Sequence, residues 1–143
     1  MKLSSFVIAV FCTAVAVVVL LLALGVSFHR PAHAQGARLY DPNSEITLQG
    51  TVTGMQDFAC PVSENEVESH LLVKTGKGVV QVHLAPGRIV RSHHILFAAG
   101  DPVTVMGSQV RLLGNNDIIA REITRANEQY VFRDATGELM LVQ

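Results

Sequence analysis

The alternation of apolar and polar side chains after the first third of the chain is the feature that most restricts its fold. Alternation with a period of two, in short segments separated by turn residues, is typical of half-buried β-strands. In the segment EITLQGTVTGM the apolar side chains share one face, while Gly50 and Gly54 mark points where a long strand bulges or coils. The pattern therefore predicts a chain of β-strands rather than helices.

The segments that follow fall into pairs that predict hairpins. SHLLVKT pairs with VVQVHL, DPVTVMGSQVRLL with DIIAREIT around GNN, and QYVFRD with LMLV around ATGE. Between the first two pairs, APGRIVRSHHILFAAGD predicts a short helix or compact plug. This order predicts an all-β fold, a small OB-like Greek-key barrel of about five to seven antiparallel strands with one short helix after the third strand.

The N-terminal segment is predicted to be a targeting sequence. It carries a basic residue at Lys2, an apolar run over residues 6–28 and the small-residue pattern AHA before Gln35. Two alternatives follow: residues 1–34 are a cleaved signal peptide, or the apolar run is an N-terminal helix that anchors the protein in the membrane. Residues 35–44 are then a linker and residues 45–143 the barrel domain. Both alternatives place the barrel in the periplasm or at the inner membrane, with membrane contact only through residues 6–28.

Charge and cysteine content exclude two classes of protein. The whole chain has a net charge of −1, and all of its acidic residues lie outside residues 1–34. A mildly acidic domain lacks the basic stripe that a nucleic-acid backbone requires, so we expect no nucleic-acid partner. Cys12 lies in the leader, which leaves Cys60 without an intrachain disulfide partner in the remainder.

Six segments carry a resemblance to a known group: EITLQGTV, HLLVKT, VVQVHLAPG, GDPVTVMGSQV, IIAREIT and FRDATGELML. Over residues 45–142 the chain resembles small exported bacterial proteins with an OB-like barrel, many of them described as hypothetical proteins. The resemblance implies a fold and a compartment. The group has no established activity, so the resemblance implies none here.

The hairpin HLLVKTGKGVVQVH begins and ends with a histidine. If its turn is symmetric about Gly76 and Lys77, His70 faces His83, and the apolar residues between them form one consistent face. Directly opposed Cβ atoms in a hairpin lie about 4.5–5.5 Å apart, which allows two imidazoles to share one cation. We expect both histidines on the outer, solvated face of the barrel.

Two kinds of site are compatible with this pair. One is a polar ligand-binding surface, formed by His70, His83, Gln81, Thr47 and Gln49 if the first three strands are neighbours. The other is a copper or zinc site, because imidazole suits both ions. Its further ligands would be Glu68, two residues before the first histidine, and Cys60 in the preceding loop. Simple solvation of the histidines is the remaining interpretation.

Motifs of catalysis do not occur in the sequence: it has no G-x-S-x-G, H-E-x-x-H, phosphate-binding glycine loop or C-x-x-C-H. The sequence therefore predicts a non-catalytic exported binding module of the bacterial cell envelope, whose partner is a small ligand or an envelope protein. One alternative is a metal-handling protein that uses His70 and His83, with copper or zinc as the cofactor. Another is a structural accessory partner of an envelope protein.

Overall fold

A computed structural model describes residues 39–60, 62 and 66–141 of the chain. A short 3₁₀ turn, Pro42–Ser44, leads into the first strand. The strands are β1 (Glu45–Ala59), β2 (Val67–Thr75), β3 (Gly78–Pro86), β4 (Pro102–Leu112), β5 (Asn115–Arg125) and β6 (Glu128–Val131), and the helix α1 is Gly87–Ser92. The fold is thus all-β with one short helix after the third strand, as the sequence predicts.

The strands form one sheet that curls back on itself. Its order is β3-β2-β1-β4-β5-β6, and a further pairing joins β3 to β5. The other pairings are antiparallel, whereas this closing one is parallel and consists of Val82 opposite Ile118 and His83 opposite Ile119. A five-stranded barrel of this topology, with a helical connection between β3 and β4, is the OB-like plan that the sequence predicts.

Strand β1 is long enough to pair with β2 along one part and with β4 along another. Its pairing register with β2 shifts between Val52 and Gly54, which confirms the predicted bulge. At Gly50 the two strands approach so closely that an added Cβ would lie 2.5 Å from the backbone oxygen of Lys74. The glycines therefore let one strand bend across both halves of the barrel.

The interior of the barrel is formed by the apolar residues of the predicted inner faces. Leu71, Val73 and Val82 of the β2–β3 hairpin are fully buried there, together with Ile123 of β5 and Phe132. Burying each of these side chains contributes about 1.5–3 kcal/mol relative to exposure. This core fixes the register of the hairpin that carries both histidines.

The connection after β3 closes one end of the core. Helix α1 buries Ile89 and Val90, and the segment after it buries Ile95 and Phe97, whereas Leu96 points to solvent. The predicted plug is thus present, with one of its apolar positions on the outside.

The C-terminal hairpin is shorter than predicted. β6 pairs with β5, and the return of the chain after it is reduced to a single bridge between Arg133 and Leu139. The turn ATGE between them is formed by the Asp134 carboxylate, which accepts hydrogen bonds from Thr136 and from the backbone of Glu138. These local hydrogen bonds form the turn, and the segment after it does not form the second long strand that the sequence predicts.

The predicted leader, residues 1–34, and most of the predicted linker lie outside the described residues. Among residues 39–60, 62 and 66–141, no helix has the length and apolar character needed to cross a bilayer. The alternatives of a signal peptide and an anchor stay predictions.

Candidate metal centre

The β2–β3 hairpin brings the two histidines together in the predicted register. His70 pairs directly with His83. On the other face of the sheet, Leu71 pairs with Val82 and Val73 pairs with Val80. Nε2 of His70 lies 3.0 Å from Nδ1 of His83. The register shifts only beyond this rung, between Ser69 and His70. The symmetric turn thus places two imidazole nitrogens side by side.

The expectation that the histidines lie on a solvated face is wrong. His70 is 0 % exposed and His83 is 1 % exposed. A second cluster of buried residues adjoins His83 through Cys60 and through its strand partner Ile119; it consists of Tyr40, Cys60, Val62 and Ile119. Sequence alternation separates the two faces of a strand, but it does not show that another part of the chain packs over the outer one.

Cys60 and Glu68 complete a four-residue cluster around the histidines. Sγ of Cys60 lies 3.3 Å from Nδ1 of His83. Oε2 of Glu68 lies 3.5 Å from the same nitrogen and 3.9 Å from Nε2 of His70. One ligand atom from each of the four residues falls within 4.8 Å of all the others, and all four residues are buried. These are the four residues that the sequence offers as metal ligands.

The spacing of these atoms fits a single bound ion. Around four-coordinate zinc, bonds of about 2.0–2.3 Å place neighbouring ligand atoms about 3.3–3.6 Å apart. The separations of 3.3 Å and 3.5 Å from Nδ1 of His83 lie in that range, and the 3.0 Å between the two nitrogens is slightly shorter. Small side-chain movements would therefore be enough to admit an ion.

Among the described residues, Oε2 of Glu68 and Nδ1 of His70 are buried and make no hydrogen bond of normal geometry, and the Glu68 oxygen meets Nδ1 of His83 only in a long ion pair of 3.5 Å. A buried acceptor without a donor costs about 1–3 kcal/mol, and more if it is charged. The Glu68 oxygen points at the two imidazoles and not at a backbone donor, which is the arrangement of a ligand atom. A bound cation would satisfy it.

Side chains outside the cluster hold two of the ligands in place. Nε2 of His83 lies 3.2 Å from Oδ2 of Asp117, so the nitrogen opposite the cluster donates to a carboxylate. Nη2 of Arg133 lies 3.6 Å from Oε1 of Glu68, and its Nη1 donates to the backbone oxygens of Leu84 and Ala120. A carboxylate behind a ligating histidine fixes the ring and raises its basicity. The sequence analysis identified neither Asp117 nor Arg133.

The electrostatics of the cluster favour one positive charge at its centre. Burial lowers the pKa of His83, but the contacts with Cys60 and Glu68 outweigh it and raise that pKa to about 10. Burial and the charge of His83 lower the pKa of His70 to about 4. Burial raises the pKa of Glu68, yet its contact with His83 and the charge of Arg133 lower it overall. Three acceptors thus converge on a single cationic centre.

The predicted ligand-binding surface is divided among different places. Thr47 and Gln81 line a groove of about 850 Å³ between the tips of the β2–β3 and β4–β5 hairpins, and Asp117 also lines it. Gln49 lines a separate depression near Pro102. The histidines are buried and line neither cavity. The five residues therefore do not form one surface.

Comparison with known families identifies the group to which the chain belongs. The sequence model of the MamS/MamX magnetosome protein family matches residues 44–130. This segment is more than half of the chain and contains all four cluster residues. The protein belongs to the MamS/MamX magnetosome protein family. That family is described by its association with magnetosomes and not by a fold or an activity.

One curated protein shares a shorter segment. Synaptogenesis protein syg-1 of Caenorhabditis elegans is 39% identical over 66 residues, which are 43% of this chain and 9% of that protein. The chain therefore spans only a small fraction of that protein's length.

Solved structures with similar folds are distant in sequence. The S. pombe Stn1-Ten1 complex matches with a TM-score of 0.46 and 16% identity, covering 59% of each chain. The N-terminal domain of PriB from Thermoanaerobacter tencongensis gives 0.42 and 16%, covering 60% of this chain and 99% of that one. The small single-stranded DNA-binding protein of Streptomyces coelicolor gives 0.41 and 22%, covering 58% and 91%. Similarities at this level transfer no ligand.

Proposed function

We propose that this member of the MamS/MamX family is a non-catalytic metal-binding protein that holds one transition-metal ion through Cys60, Glu68, His70 and His83. The observation that carries the proposal is the convergence of four buried ligand atoms within 4.8 Å of one another. Thiolate, imidazole and carboxylate are the ligand types that zinc and copper accept together. The ion would bind the Glu68 oxygen, which makes only a long ion pair with His83 among the described residues.

The number of ligands supports binding rather than catalysis. Catalytic zinc sites use three protein ligands and keep a fourth position open for water or substrate, whereas closed sites use four. Here four protein ligand atoms lie within 4.8 Å of one another, and all four residues are buried. A closed site of this kind serves to store an ion, to transfer it to another protein or to stabilise the fold.

The compartment belongs to the proposal as well. An export signal or anchor in residues 1–34 would place the barrel in the periplasm or at the inner membrane. Beside the metal centre, the groove lined by Thr47 and Gln81 supports a second role, the binding of a small polar ligand or an envelope partner. Its main-chain and amide groups suit hydrogen bonding more than stacking.

Metal titration of the full chain tests the primary function. We expect one Zn(II) or Cu(II) ion per chain with submicromolar affinity, measured by competition with a chromophoric chelator. Cys60→Ser, Glu68→Gln and His83→Gln are each expected to weaken binding, because each removes one ligand with little change in volume. His93→Gln is the matched control, since His93 is exposed at the end of α1.

Circular dichroism of each variant separates lost binding from lost folding. Stoichiometric binding that is unchanged in the folded Cys60→Ser and His83→Gln variants would overturn the proposal. The absence of binding in the folded natural chain would overturn it too.

A further inference from the structure

We propose that the ion is copper and that the centre transfers single electrons, alternating between copper(I) and copper(II). This inference rests on the proposed metal-binding function and adds its chemistry. Two observations carry it: the kinds of ligand in the cluster, where Glu68 also faces a buried arginine, and an aromatic contact that links the cluster to the surface.

The cluster offers one thiolate, two imidazoles and one carboxylate. Sγ of Cys60 and Nε2 of His70 lie 3.3 Å and 3.0 Å from Nδ1 of His83. The Glu68 oxygen is farther from the two nitrogens, at 3.5 Å and 3.9 Å. One thiolate and two imidazoles, with a weaker fourth ligand on the axis, are the arrangement that proteins use for copper electron-transfer centres.

The environment of Glu68 weakens it as a ligand. Its second oxygen faces the guanidinium of Arg133, which is itself buried, at 3.6 Å. Part of the carboxylate charge is therefore directed away from the cluster centre. A carboxylate that is neutralised in this way suits the weak axial position better than one of four equal bonds to zinc.

The protein holds the ligands in fixed positions, so Cu(I) and Cu(II) would be bound in the same geometry. His70 and His83 are one rung of a hairpin whose inner face is packed in the barrel core. Asp117 holds the outer nitrogen of His83. Rigid ligands and exclusion of water reduce the rearrangement that accompanies electron transfer, and the surrounding shell sets the potential.

An aromatic side chain connects the centre to the protein surface. The ring of Phe58 stacks on His70, with the centroids 3.8 Å apart and the planes at 5°. Phe58 is 37% exposed, so its side chain reaches solvent. Electrons would enter and leave through this contact. The partner is a one-electron redox protein that approaches the exposed side chain of Phe58, and such encounters are usually small and transient.

The proposed cycle balances in protons and electrons. Loading with Cu(II) would form bonds to Sγ of Cys60, Nε2 of His70 and Nδ1 of His83, and any proton held at Sγ of Cys60 and at Nδ1 of His83 would be released to solvent. A one-electron donor reduces Cu(II) to Cu(I), and a one-electron acceptor takes the electron back. No protein bond other than those to the ion forms or breaks during the cycle.

Absorption spectroscopy of the full chain with one equivalent of Cu(II) tests this inference. We expect an intense visible band from thiolate-to-copper charge transfer, which ascorbate bleaches and ferricyanide restores over repeated cycles. Cys60→Ser is expected to lose the band while the histidines still hold copper. Glu68→Gln is expected to shift the band and retain it, because the carboxylate is the weaker ligand.

The rate at which ferricyanide reoxidises the Cu(I) protein tests whether electrons pass through Phe58. Phe58→Ala is expected to keep the band and slow this step severalfold, while Val79→Ala, an exposed control at the far end of the hairpin, leaves it unchanged. An equal rate in both variants would overturn the route through Phe58.

Failure of this inference is distinguishable from failure of the metal-binding function. If the chain binds Zn(II) but Cu(II) gives no thiolate band, or if Cu(II) consumes the Cys60 thiol in the first cycle, the copper proposal is overturned and metal binding stands. If neither ion binds, both are overturned.

Discussion

The two faces of the β2–β3 hairpin are equally buried but are built in opposite ways. On the inner face Leu71 and Val82 pack into an apolar core. One residue away on the outer face, His70 and His83 are just as inaccessible, yet their neighbours are a thiol and a carboxylate. Burial of the inner pair stabilises the folded state, because apolar side chains leave water. On the outer face, burial leaves Oε2 of Glu68 and Nδ1 of His70 without a hydrogen bond of normal geometry among the described residues.

This difference indicates what each face is for. Apolar burial stabilises the fold without any further component, so the inner face supports the barrel by itself. The outer face carries a cost in unsatisfied polar groups that a bound cation would remove. Substitutions on the inner face should therefore act on stability alone, and substitutions on the outer face should act mainly through the ion.

The largest expected effect is on the inner face. Leu71→Ala should reduce the free energy of unfolding by about 2–5 kcal/mol, because it removes buried methyl groups and leaves a cavity. Urea unfolding in the presence of a chelator measures this loss. Val79→Ala, on an exposed position of the same hairpin, is the control and should change stability by less than about 0.5 kcal/mol.

A smaller effect is expected from the ion itself. Free ion at about 100 times its dissociation constant should raise the free energy of unfolding by about 2.7 kcal/mol, since it binds the folded chain. The same urea titration, with and without Zn(II), measures the difference. Leu71→Ala should keep this metal-dependent gain and His83→Gln should lose it. A gain of equal size in both variants would contradict the assignment of the two faces.

Much of this hairpin could be predicted from its sequence. The symmetric turn and the single consistent apolar face determine the register, and the register places His70 opposite His83. The same reasoning offered Glu68, two residues earlier, and Cys60, in the preceding loop, as further ligands. All of these are relations between residues close in the chain, for which pairing rules are informative.

The burial of the site could not be predicted, because it depends on contacts between distant parts of the chain. Tyr40 and Val62 share a buried cluster with Cys60 and come from segments without any periodic pattern. Asp117 reaches His83 only because β5 lies parallel to β3 where the barrel closes. Arg133 enters from the C-terminal return. Alternation indicates which residues share a face, and only the completed barrel determines what covers that face.

The smallest predicted effect concerns the residue that supports the outer face without belonging to the cluster. Asp117→Asn should weaken metal affinity about tenfold, or about 1.4 kcal/mol, because the neutral amide no longer increases the basicity of His83. The amide oxygen still accepts from Nε2, so the fold should persist. Chelator competition measures the affinity, and urea unfolding in chelator checks stability.

The adjacent Asn116 provides the matched control for this substitution. Asn116 is exposed and lines the same groove, so Asn116→Ala should leave metal affinity unchanged. If Asp117→Asn also left affinity unchanged, the hydrogen bond at 3.2 Å would be a structural contact alone. Weaker binding only at position 117 would mean that the groove and the metal centre share a residue, so that a ligand bound in the groove could alter the affinity of the ion behind it.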